Sequence, residues 1–236
     1  AIAGTGASRA GVLGRLGTST ADRFAIYVDS FEAPTFGPAW SFYKSTTAGR
    51  IQRTSVYGGS DGTFAMVMDV SPAGSDLILN EAMWTVNLAG LNAPKLAFSH
   101  RNIGDEVHAL PATFTGHANG DGVSISMDGV SWFTVATTSA VTIGSTTIPA
   151  LPSSALSAWG NWEVDLVAAA TQAGFNLNGN MIVKFQQYDN LSIGSDGRAW
   201  DNVQITVAGT SDFYSFSAAI GDKITAAVTG SGSAVM

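Results

Sequence analysis

Period-two alternation of apolar and polar residues is the feature that most limits what this chain can fold into, and it is densest over residues 179–207. There Met181, Val183 and Phe185 alternate with Ile182, Lys184 and Gln186. Further on, Val203, Ile205 and Val207 are interleaved with Asn202, Gln204 and Thr206, with Trp200 just ahead. Side chains two apart share one face of a strand, so each run predicts a half-buried antiparallel strand. Asp201-Asn202 stands at the mouth of the second run, where a polar pair can reach back toward the start of the domain. Helical periodicity is missing elsewhere; only Leu166–Ala173 predicts a short helix.

Other strand patterns are spaced as in an all-β sandwich. Residues 23–31 alternate, with Phe24, Ile26 and Val28 on one face and Tyr27 and Asp29 on the other. Residues 64–70 follow a Gly-rich turn, and 81–88 with 95–100 read as the next pair. Segments 122–127 and 131–137 flank Asp128-Gly129, a strong hairpin signal. Residues 162–167 precede the final two strands. Pro, Gly, Ser and Asp mark loops at 70–77, 139–157 and 191–198, the second with a short edge strand at Val141–Ile143. The predicted fold is one all-β, antiparallel β-sandwich of jelly-roll type over residues 23–207. A Gly-rich arm or linker at 1–22 precedes it, and 208–236 is a connector and the start of a second β segment, with two strands around Gly221-Asp222. The arm is either a linker or a segment that docks on a neighbouring domain or subunit. About 25 residues cannot bury enough apolar surface to fold alone.

The formal charge is −7, and the 11 Lys and Arg residues are scattered singly, which argues against nucleic acid or an anionic membrane as partner. No apolar run approaches the ~20 residues that cross a bilayer. Without cysteine, the chain has no disulfide, no thiolate metal site and no Cys nucleophile.

The order of motifs resembles a MAM-like jelly roll: Asp29-Ser-Phe31-Glu32 and Trp40, then 59–64 (GSDGTF), 96–100 (LAFSH), 124–132 (SISMDGVSW), 183–190 (VKFQQYDN) and 200–205 (WDNVQI). The resemblance spans roughly residues 24–207. Animal members carry cysteines and this chain has none, so it points to bacterial, concanavalin-like relatives. Residues 212–228 are similar to the beginning of bacterial pre-peptidase C-terminal domains, which accompany secreted enzymes and surface proteins.

Among acids, Glu32, Asp61 and Asp201 stand at strand mouths and turns that a jelly roll brings together. Carboxylates with loop carbonyls can supply the six to eight oxygens of Ca²⁺. The resemblance adds that such jelly rolls often hold a structural calcium there. Asp189 and Asp196 offer a second set of loop acids. Asp128 reads as a turn acceptor, with Trp132 packed in the core or over the hairpin. His100, His108 and His117 lack metal-binding spacing and read as surface or core-edge residues; no G-x-S-x-G elbow is present. Glu163 and Asp165 share a strand face but lack the third acid of a glycosidase strand. Trp40, Trp84, Trp162 and Trp200 are expected in the core, and Trp159, before Gly160, is the candidate for an exposed sugar-stacking platform. The expected function is non-catalytic: a secreted or cell-surface bacterial module for adhesion or assembly, with other surface proteins or copies of itself as partners. The alternatives are a carbohydrate-binding module and an accessory domain of a secreted hydrolase.

Overall fold

The computed structural model describes residues 13–14, 23–70, 77–190, 196–208 and 214–215. Its first strands are β1 (Leu13–Gly14), β2 (Arg23–Asp29), β3 (Trp40–Lys44), β4 (Gly49–Thr54), β5 (Ala65–Val70), β6 (Ile78–Asn87), β7 (Lys95–Asn102) and β8 (Thr113–Thr115). They are followed by β9 (Gly122–Ser126), β10 (Ser131–Thr137), β11 (Val141–Ile143), β12 (Thr146–Ile148) and β13 (Gly160–Asp165). Helix α1 (Leu166–Ala173), β14 (Asn180–Asp189), β15 (Gly197–Ala208) and β16 (Tyr214–Ser215) complete the order. Arg23–Ala208 is one compact unit. Of the other, Ala1–Asp22 with Gly209–Met236, the described part is the antiparallel pair β1–β16. The strands expected around Gly221-Asp222 and the arm before Arg23, apart from β1, lie outside the described residues.

The main unit is an antiparallel β-sandwich. One sheet has the order β3-β6-β14-β9-β10-β8 and the other β13-β7-β15-β5-β4. The first half of β15 pairs with β5, and from Val203 onward that side of β15 pairs with β2. In β14 and β15 alternation predicts the inward-facing Met181, Val183, Phe185, Val203 and Ile205. Trp84 and Ile125 both oppose Val183 in register, and Phe98 opposes Trp162. Phe185 bridges the two sheets, its ring centroid 6.0 Å from Trp40, 5.8 Å from Phe98 and 5.2 Å from Trp200. Such a wholly buried ring is worth about 3–5 kcal/mol against alanine.

Two pairings expected from sequence adjacency are not made. β6 and β7 belong to different sheets, and so do β14 and β15. Alternation says which residues share a face, but a loop of several residues can as readily cross between layers as turn back. Arg198, expected in a loop, lies in β15 and is wholly buried. The stripe Phe24, Ile26 and Val28 is 41%, 48% and 55% exposed, whereas Tyr27 packs edge-on against Trp84 at 6.3 Å. β2 therefore turns its more apolar face outward and lends one aromatic ring to the core.

Local chemistry explains the helix bounds. Asp165 is the N-cap of α1, its Oδ1 accepting from the Val167 and Ala168 N–H groups at 2.9 and 3.0 Å. Gly174 ends the helix in the left-handed conformation at φ 71°, where a side chain would be strained. Leu166, Ala169 and Ala170 are the residues it buries.

Candidate functional site

The acids expected at the strand mouths do converge on one turn. Glu32 Oε1 accepts from the N–H groups of Thr63 and Phe64 at 2.8 and 2.6 Å. Asp201 Oδ2 accepts from those of Ser60 and Asp61 at 2.6 and 2.9 Å. Two strained residues flank these acids, Phe31 at φ 56° and Asn202 at φ 48°. Arg53 donates to the carbonyls of Phe31 and Glu32, and its guanidinium lies 3.3 Å from the centroid of Phe64. The Phe64 N–H holds the Glu32 carboxyl below its usual range; burial pushes that of Asp201 up against the pull of its amide donors. Asp61 contributes its N–H to this clamp.

Backbone amides take Glu32 Oε1 and Asp201 Oδ2, so the expected calcium at Glu32, Asp61 and Asp201 would draw on their remaining oxygens and on loop carbonyls. Among the described residues no group of three or more His, Asp or Glu forms a metal-holding set. These N–H donors by themselves tie Glu32 and Asp201 to the turn at residues 60–64.

A ligand-sized cleft lies elsewhere, at the β8 edge of the first sheet and the end of α1. It has a volume of about 330 Å³ and is lined by Thr113, Phe114, Thr115, Ser131, Trp132, Phe133, Ala173 and Phe175. Phe114, Phe133 and Phe175 are half-buried, while Thr113, Thr115 and Ser131 are exposed. Trp132 is 2% exposed, and its Nε1 has no hydrogen-bond partner. The lining contains no Asp, Glu or His. Asp128 shapes the approach by closing the β9–β10 hairpin, accepting from the Val130 and Ser131 N–H groups at 2.8 and 2.7 Å. The reading of Asp128 as a turn acceptor holds.

Lys184 supports the cleft from behind. It was expected on a half-exposed face but is 1% exposed, because residues 116–120 fold over that side of β14. Its Nζ donates to Glu81 Oε1 at 2.8 Å and to the Gly116 carbonyl at 3.0 Å, and lies 3.9 Å from the Trp132 ring centroid. Glu81, wholly buried, also meets His117 Nδ1 at 2.7 Å, and the His117 ring stacks on Tyr43 at 3.9 Å.

His100 corrects the expectation of a surface or core-edge residue: it is wholly buried between Trp162 and Trp200. Burial, then the Arg198 charge, push its imidazole well below the usual range. His108 lies 3.5 Å from Asp121, which raises its imidazole. Glu163 accepts from Lys95 Nζ at 2.5 Å, so with Asp165 capping α1 these acids do structural work. Trp159 is half-buried ahead of β13, outside the cleft; Trp40, Trp84, Trp132, Trp162 and Trp200 are all buried.

The cleft was not foreseen from sequence. β8 is three residues long, and Phe175 follows the helix in a polar stretch, so neither carries a periodic signal.

No protein-family profile matches the chain, and no curated protein matches it in sequence. Among solved structures it is similar to the family 11 carbohydrate-binding module of a cellulosomal cellulase of Clostridium thermocellum. The TM-score is 0.43 at 13% identity, over 80% of this chain and 95% of that chain. A carbohydrate-binding module in complex with β-1,4-galactotriose gives 0.43 at 12% identity, over 75% and 92%. The K1 cleaved adhesin domain of Lys-gingipain from Porphyromonas gingivalis gives 0.41 at 9% identity, over 78% and 98%.

Proposed function

We propose that this chain is a non-catalytic glycan-binding module and that a neutral sugar sits in the cleft of β8, β10 and α1. The observation that carries the reading is the composition of that cleft. Half-buried phenyl rings suit the C–H faces of a sugar ring, and exposed Thr and Ser hydroxyls suit its rim. Trp132, 2% exposed, stacks on Phe114 within the lining and stiffens this aromatic wall. With no acid or histidine in its lining, the cleft has no general acid–base pair, so binding without turnover is the fitting activity. A secreted or cell-surface placement belongs to the same proposal. So does bacterial MAM-like kinship, which the order of motifs supports. No helix among the described residues is long and apolar enough to cross a membrane.

The test is retention on neutral polysaccharides in affinity electrophoresis and on a glycan array. Phe175→Ala and Ser131→Ala should each weaken binding at least tenfold while leaving the circular dichroism spectrum unchanged. Loss through Trp159→Ala alone would move the site to the mouth of β13, and no retention of any neutral glycan would end the reading.

Adhesion or assembly is the second reading, favoured by the exposed stripe Phe24, Ile26 and Val28 on β2. The partner would be a second copy of the chain. Ile26→Lys should then lower the mass measured by light scattering; a monomeric wild type at 100 μM would refute it.

A further inference from the structure

The cleft of β8, β10 and α1 offers few polar side chains to a sugar. In its lining only Thr113, Thr115 and Ser131 carry a hydroxyl, and no carboxylate, amide or cationic side chain is present. Ser131 opposes Thr115 in register and Phe133 opposes Thr113, so these four side chains share one face of β8 and β10. Ala173, the last residue of α1, and Phe175 just beyond its cap add apolar surface. An unsubstituted hexose points hydroxyls outward round its ring, and each one buried without a partner is unfavourable. Three hydroxyls among aromatic rings are a poor match for it.

The remaining polar capacity lies in the backbone. β8 ends its sheet, and among the described residues its strand partner is β10 alone. The Gly116 N–H donates to the Val130 carbonyl at 2.8 Å, and the Thr134 N–H to that of Ala112 at 2.9 Å. These bonds lie two residues to either side of the Phe114–Trp132 pair, so 112, 114 and 116 are the positions bonded to β10. In an antiparallel ladder the intervening residues turn their backbone groups the other way. Thr113 and Thr115 therefore present N–H and C=O groups at the open edge, roughly 7 Å apart at about 3.4 Å per residue. Two amide units, each with donor and acceptor side by side, thus border a mainly apolar cleft.

We infer that the sugar taken here carries an acetamido group, as an N-acetylhexosamine unit of a neutral glycan. This rests on the glycan reading and narrows its ligand. The acetamido carbonyl accepts from a β8 N–H and its N–H donates to a β8 carbonyl, as one peptide unit pairs with another across a sheet. Its methyl meets Ala173 and the Phe175 ring, where a hexose hydroxyl would lose water and gain no partner. The free amine is disfavoured too, because it is charged and the lining has no carboxylate to receive it. A volume of about 330 Å³ is at the small end for ligand sites, so a short unit fills it.

The experiment is calorimetric titration of the full chain with β-1,4-linked trisaccharides of N-acetylglucosamine, of glucosamine and of glucose, alongside the corresponding galactose series. In the series that binds, the N-acetyl member should bind about tenfold or more tightly than the amine and the plain hexose. Ala173→Leu, at a helix end that accepts leucine, fills the space for the methyl and should abolish that preference with the circular dichroism spectrum unchanged. Thr115→Pro removes an edge N–H that β10 does not use, and should weaken binding of the N-acetyl sugar about tenfold. Equal or tighter binding of the plain hexose overturns the inference and leaves the glycan reading standing. Binding of no sugar in either series, and of no neutral glycan on the array, removes the reading on which it rests. An N-acetyl preference undiminished in both Ala173→Leu and Thr115→Pro places the acetamido contact outside this cleft and likewise overturns it.

Discussion

Replacing Lys184 by methionine tests whether the face of the first sheet behind the cleft is held by charge. Lys184 and Glu81 have side chains 1% and 0% exposed and meet at 2.8 Å. Burial lowers the lysine's proton affinity and the Glu81 contact raises it, with burial the larger effect. Desolvation has therefore consumed much of what the pair gains by attraction. Breaking such a pair leaves one uncompensated buried charge and costs about 3–5 kcal/mol, whereas replacing both members by apolar side chains is often near neutral. Lys184→Met leaves Glu81 with only His117 and removes the donor to Gly116, so the expected loss is about 3–5 kcal/mol. For a domain of this size that corresponds to roughly 6–20 °C in midpoint. Methionine packs well on aromatic faces, and Trp132 and Phe114 already line the lysine's path. The double variant Lys184→Met/Glu81→Met should accordingly recover to within about 2 kcal/mol of wild type. Urea unfolding followed by circular dichroism and tryptophan fluorescence reads both numbers. A single variant costing less than about 1 kcal/mol, or a double variant costing the sum of the two singles, would refute the reasoning.

The clamp and the buried histidine yield further expectations. Asp201→Ala strips the acceptor from Ser60 and Asp61 and should cost about 2–4 kcal/mol, by the same amount in Ca²⁺ and in EDTA; a loss seen only in Ca²⁺ would assign an ion to the clamp. His100 is kept neutral in the folded chain, while the unfolded chain takes up a proton below about pH 6.5. Its contribution is thus complete above that pH and is lost as pH falls, by up to about 1.4 kcal/mol per pH unit. Denaturation of His100→Leu and wild type at pH 7 and pH 5 should show the variant gaining on the wild type in acid, and parallel curves would dismiss the effect.

How much was legible in the sequence follows from what each signal encodes. Met181, Val183 and Phe185 announce their common face because alternation fixes it, and Leu166–Ala173 announces its helix because Asp165 and Gly174 punctuate it. The choice of sheet partner is carried by contacts remote in sequence, so β6 with β7 and β14 with β15 read as pairs when they are not. Burial of Lys184 depends on residues 116–120 folding over it, about 65 positions away, which no local window contains. The reach of Asp201 toward the start of the domain was readable from its position; its grip on backbone amides was not, because amides leave no trace in composition.

The pairing of β2 with the second half of β15 has a mechanical consequence. Arg23 and Ala208 are register partners, so the chain enters and leaves the sandwich side by side. The Arg23 side chain bonds across the seam, to the hydroxyl of Thr206 at 3.0 Å and its carbonyl at 2.9 Å. Tension applied through the two ends therefore falls on the terminal rung of an antiparallel ladder and opens it one rung at a time, like a zip. It does not load all rungs together in shear. The sandwich should thus resist heat and denaturant far better than it resists a pull between its own termini. The same juxtaposition lets it be spliced into the loop of a host protein with little spreading of the host's chain ends.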